Sequence, residues 1–123
     1  MADNIIETDE TDRLIASNKV EGTAVYNSQG ERLGSVYNFM VNKRSGKAEY
    51  AVMSFGGFLG IGEEYHPLPW DQLTYDTDQV GYVVNLSKEQ LEGGPHYRAG
   101  QEPTYDRTYG EQVYGYYGFP YPY

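Results

Sequence analysis

The chain has no cysteine, which removes disulfides, thiolate zinc sites and cysteine nucleophiles from consideration. No stretch approaches the roughly 20 apolar residues that a membrane helix needs. The acidic opening MADNIIETDETDRL also lacks the basic-then-apolar pattern of a secretory signal. The expectation is a cytoplasmic protein without direct membrane insertion. Basic residues are scarce, 9 Lys and Arg against 18 Asp and Glu, and the net charge is -9. Such a surface repels phosphate backbones, so nucleic acid is excluded as a partner. The one basic cluster, Lys43, Arg44 and Lys47 around Ser45-Gly46, lies between apolar runs and reads as a solvated hairpin turn. There are two histidines and one tryptophan. What the chain has in quantity is tyrosine, 14 in 123 residues. That length suits one domain, with a modest core in which aromatic rings supply much of the buried area.

Three segments differ in texture. Residues 1–17 form an acidic lead, with a helical possibility only around TDRLIAS. Residues 18–94 alternate short strand-like runs with turn residues, the pattern of a small all-β domain. Residues 95–123 hold eight of the tyrosines, four glycines and four prolines, and are expected to be an extended tail without long helix or strand. In the middle segment GTAVY, RLGSVYNFMV, AEYAVMSF, EEYHPL and VGYVVNL read as strands. The pattern of RLGSVYNFMV puts Leu33, Tyr37, Phe39 and Val41 on one face and Val36 and Met40 on the other, so this strand should curl. VGYVVNL aligns Val80, Tyr82, Val84 and Leu86. SKEQLEGG reads as a short closing helix, with a Ser87–Gln90 capping box and Gly93 at its end.

The stretch GGFLGIGEEYHPLPW has the look of a phosphate loop but not its chemistry. No Gly-Lys-Ser/Thr follows, and Gly57, Gly60 and Gly62 precede a strand ending in prolines, not a helix N-terminus. These glycines read as a structural turn, and Pro69 and Trp70 as a rigid exit with the indole packed over the barrel end. Glu63 and Glu64 alternate across the strand and cannot converge on one bond. Glu64 and His66 share a face, about 7 Å apart. The other histidine, His96, lies beyond the helix, and no third ligand is marked. No serine sits at a strand-to-helix elbow either. The residues therefore point to no catalytic set, no cofactor and no metal.

The run from Glu21 to Leu73 resembles the PRC-barrel domain family, named for the cytoplasmic domain of the photosynthetic reaction-centre H subunit. The likeness rests on the opening G-x-x-V-Y-x-x-x-G-E-x-L-G-x-V, the G-G-F-L-G-I-G turn and the P-L-P-W-D-Q-L exit, and extends over residues 20 to about 92. It implies a small stand-alone bacterial member with a six-stranded antiparallel β-barrel. It carries over no shared catalytic residues, since known members act through protein contacts.

Function is accordingly expected to be that of a non-catalytic interaction or assembly module, linked to stress response or to a membrane or photosynthetic complex. The alternative is a small-ligand or metal-responsive regulator using the barrel mouth and His66. Protein partners are expected, including a second copy in a homodimer. The expected contact surface is Tyr109, Tyr114, Tyr116, Tyr117 and Phe119, with some of these rings against a barrel face.

Overall fold

The computed structural model describes residues 14–55 and 63–123. A one-turn helix α1 (Ser17–Val20) leads into β1 (Ala24–Asn27). The turn after β1 is built by Asn27, whose Oδ1 accepts from the N–H groups of Gln29 and Glu31, and by Gly30 at φ 86°. β2 (Arg32–Val41) and β3 (Ala48–Phe55) form a hairpin through the basic cluster. There Asn42 Oδ1 accepts from the N–H groups of Arg44 and Ser45, and Lys43, Arg44 and Lys47 are exposed, as a solvated turn requires. β4 (Glu64–Pro69), a 3-10 turn (Trp70–Gln72), β5 (Thr74–Asp76) and β6 (Gly81–Val84) follow. Helix α2 (Lys88–Glu92) carries the expected capping box: Ser87 Oγ accepts from Gln90 N–H, and Gln90 Oε1 accepts from Ser87 N–H. The two-residue strand β7 (Tyr97–Arg98) and helix α3 (Arg107–Tyr116) complete the described chain.

The strands make one seven-stranded sheet in the order β5-β6-β1-β2-β3-β4-β7. This corrects the expected closed, antiparallel six-stranded barrel. The β1–β6 pair is parallel, all other pairs are antiparallel, and β5 and β7 do not meet. The two outermost strands are only three and two residues long. Such short strands leave little backbone for a closing ladder, and short edges are one way an open sheet avoids further pairing.

The assignment of faces on β2 is also corrected. Leu33 and Tyr37 each stand as an extra residue at a register shift, the first against β1 and the second against β3. Each bulge adds one residue to the two-residue period. Leu33, Val36 and Phe39 therefore share the main core at a spacing of three, while Tyr37 and Val41 are exposed and Met40 joins a second cluster. That core lies on one face of the sheet, with Val25, Met53, Leu68, Tyr82, Val84, Leu86 and Leu91. Val80 does not align with Tyr82, Val84 and Leu86. It is 51% exposed at φ 54° in the β5–β6 turn.

The C-terminal segment departs most from expectation. It is not extended throughout: α3 runs for 10 residues, capped by the Asp106 side chain, which accepts from Tyr109 N–H. Its other end closes in a Schellman arrangement. Phe119 N–H donates to Tyr114 C=O and Gly118 N–H to Gly115 C=O, with Gly118 at φ 83°. Gly110, Val113 and Tyr114 are its buried residues; Val113 and Tyr114 cover Tyr50 on the far face of β3, and Gly110 lies under the Tyr121 ring. The prolines of this segment, Pro95, Pro103, Pro120 and Pro122, all lie outside the helix.

Candidate functional site

Alternation along β3 and β4 sends Met53, Phe55, His66 and Leu68 to the main core, and Tyr50 and Tyr65 to the opposite face. On that opposite face tyrosines follow one another almost without interruption. Tyr37 packs on Tyr65 at 4.3 Å between ring centres, and Tyr65 on Tyr97 at 5.7 Å. The Tyr97 hydroxyl meets that of Tyr105 at 3.2 Å, and Tyr105 packs edge-on against both Tyr50 and Tyr109. From Tyr50 the series continues through Tyr114 to Tyr121 and Tyr123. Edge-to-face contacts dominate, the geometry that the ring quadrupole favours. The series begins and ends in exposed rings, Tyr37 at 45% and Tyr123 at 40%.

Burial leaves its mark on the hydroxyls. It is the first cause of the raised pKa of Tyr109, pushed up to about 12, with Tyr97 adding to it. It raises Tyr50, Tyr105, Tyr114 and Tyr117 further still, each reinforced by neighbouring tyrosines.

The residues singled out in the sequence take different positions. Tyr109, Tyr114, Tyr117 and Phe119 belong to the second cluster against β3, and Tyr117 also packs against the main core. Tyr116 points away, 45% exposed, with its hydroxyl donating to the Gln90 carbonyl of α2. The chain passes so closely here that a Cβ on Gly94 would stand 2.5 Å from the Tyr117 hydroxyl and 3.0 Å from the Tyr116 ring. Pro69 is buried at the end of β4, and Trp70 packs half-buried against Phe39 and Tyr82. Gly57, Gly60 and Gly62 lie outside the described residues.

A second convergence was not legible in the sequence. β7 pairs with β4 so that Arg98 stands opposite Glu64, which brings His96 beside Glu64 and His66. The separation of His96 from this face, expected from its position beyond the helix, is thus corrected. His66 Nε2 is 3.7 Å from Glu64 Oε1, and His96 Nε2 is 3.8 Å from Glu64 Oε2. Arg98 Nη2 also stands 3.8 Å from Glu64 Oε2. The His66 ring is wholly buried, edge-on to Phe55, and neither of its nitrogens has a hydrogen-bond partner among the described residues. Burial, seconded by His96, lowers its pKa to about 4. The Glu64 carboxylate and the Leu91 carbonyl oppose this, neither of them in hydrogen-bonding geometry.

Fold and surface together define a small, predominantly β domain with a capped sheet. The PRC-barrel domain family matches residues 12–91, and the chain belongs to that family. An uncharacterized protein of Deinococcus radiodurans is 28% identical over 80 residues, which make up 65% of this chain and 28% of that protein's length. The matched family segment ends at α2, so β7, α3 and most of the tyrosine series lie beyond it.

Proposed function

We propose that the protein is a non-catalytic assembly module whose contact surface is the tyrosine face, and that its first partner is a second copy of itself. PRC-barrel membership supports the non-catalytic reading, because the family offers no shared catalytic set. The observation that carries the choice of surface is the tyrosine series across the far face of the sheet, ending in exposed rings at Tyr37 and Tyr123. Tyrosine brings large contact area with few torsions to freeze, which is why it is enriched in interface cores. These rings are already held by their neighbours, so pairing orders little that is not ordered beforehand. In this reading residues 18–94 are the domain and residues 95–123 supply most of the tyrosines of its contact face. A link to stress response or to a membrane or photosynthetic complex would act through the same face.

Site-specific photo-crosslinking tests the choice of surface. A benzophenone amino acid in place of Tyr37 should capture a second chain. The same probe in place of Val80, which is also apolar and exposed but lies in the β5–β6 turn, should not. Equal capture from both positions would overturn the assignment.

A further inference from the structure

We propose that Glu64, His66 and His96 form an intramolecular site for one divalent transition-metal ion of the zinc class. The chain has only two histidines, and the pairing of β7 with β4 brings both to one carboxylate. One donor atom from each of the three residues lies within 4.8 Å of the other two.

Orientation carries the inference further than proximity does. His96 Nδ1 is 2.9 Å from the Gly94 carbonyl and donates to it. In the neutral ring that leaves the lone pair on Nε2, which stands 3.8 Å from Glu64 Oε2. A carbonyl behind a ligating histidine is the usual way a protein sets which ring nitrogen meets the metal. His66 supplies an independent observation. Its ring is 0% exposed, yet both nitrogens lack hydrogen-bond partners among the described residues, with Nε2 3.7 Å from Glu64 Oε1. A buried polar group left unpaired is costly, and coordination of an ion would offset that cost.

The spacing agrees with four-coordinate geometry. With metal–nitrogen bonds of about 2 Å, two imidazoles on a tetrahedral ion hold their ring centres roughly 5 Å apart. Those of His66 and His96 are 5.1 Å apart. Donor atoms on such an ion are about 3.3 Å from one another; each histidine Nε2 is 3.7 or 3.8 Å from its own Glu64 oxygen, and one donor from each residue, now within 4.8 Å of the others, would draw together on the ion. Two imidazoles and one carboxylate favour zinc and its neighbours over magnesium or calcium, which prefer all-oxygen shells. His96 is 40% exposed and lines an open groove of about 540 Å³ beside the end of α2. The exposed side of His96 gives a path of entry, and neither Glu64 nor His66 lines the groove. Arg98 is the competitor, because its guanidinium already stands beside Glu64 Oε2. A bound ion would tie β7 to β4 where the chain leaves the family-matched segment for α3.

Calorimetric titration of the full chain with Zn²⁺ tests the site, with circular dichroism to verify that each variant is folded. One ion per chain is expected, with no response to Mg²⁺. His96→Gln changes a half-exposed side chain, should fold, and should weaken binding at least tenfold. Arg98→Gln should bind as well as the parent or more tightly. Nitrogen-detected NMR of the two imidazoles should show both shifting in step with the added Zn²⁺. Absence of saturable binding would overturn the proposal. So would undiminished binding by folded His96→Gln, which would place the ion elsewhere, or a response confined to one imidazole.

Discussion

The Tyr114 hydroxyl donates a hydrogen bond to the backbone carbonyl of Glu49, and Glu49 is the residue of β3 that stands out of register against β2. The register passes from Met40–Tyr50 to Val41–Ala48 and leaves Glu49 between the two pairs. A bulge disturbs the ladder around its extra residue, and here a side chain from α3 takes up the carbonyl. The same ring packs edge-on against Tyr50 and Tyr121. Tyr114→Phe should therefore cost about 1–2 kcal/mol for the lost bond. Tyr114→Ala should cost roughly 3–5 kcal/mol, because the ring is lost as well. Urea unfolding checks both; equal and negligible effects would mean that α3 adds nothing to the sheet.

The tyrosines also set an alkaline limit. A hydroxyl whose pKa is higher in the folded chain than the ordinary 10.0 contributes stability that is fully present below pH 10. That contribution is lost as pH rises through the folded value, about 12 for Tyr109 and higher for Tyr50, Tyr105, Tyr114 and Tyr117. Stability should fall steeply above pH 10. Tyrosinate absorbance should rise in two phases, an early one from exposed rings and a late one coinciding with loss of circular dichroism. A single phase near pH 10 with the fold intact would contradict the burial described here.

Gly34 marks a close approach of β2 to β3. A Cβ at this position would stand 2.1 Å from the Ser54 carbonyl oxygen, a backbone atom of the paired strand that cannot turn aside. Gly34→Ala should destabilise the protein by about 2–4 kcal/mol through strain at the centre of the sheet. Gly46→Ala, in the exposed basic turn at φ 77° with open space around it, should cost less, about 1 kcal/mol. Thermal melts of the two variants should fall in that order.

Much of the fold could be read from local signals because each rests on residues close together in the chain. The hairpin turns at Gly30 and Gly46 and the Ser87–Gln90 box are of this kind. The closed barrel could not be judged so, since closure depends on whether β5 and β7 meet, a question of long-range geometry. The two bulges of β2 were hidden for a related reason: register is a property of two strands, and one strand alone shows only its period. The helix α3 is masked by the composition of its segment. Its glycines and the surrounding prolines argued against helix, although Asp106 and Gly118 mark its ends and Gly110, Val113, Tyr114 and Tyr117 repeat at three and four residues. The approach of His96 to Glu64 and His66 depends on a two-residue strand too short to register as a pattern.

Sedimentation of the full chain at high micromolar concentration tests the proposed contact surface most directly. Each copy carries a net charge of -9, so like-charge repulsion opposes pairing at low salt and is screened at higher ionic strength. The parent should sediment at twice the 14.0 kDa chain mass, more completely as salt is raised. The doubly substituted chain Tyr37→Ser, Tyr123→Ser changes the two exposed ends of the series and should return to the 14.0 kDa mass with its fold intact. A parent that stays at 14.0 kDa at every salt concentration, or a substituted chain that pairs as well as the parent, would contradict the account.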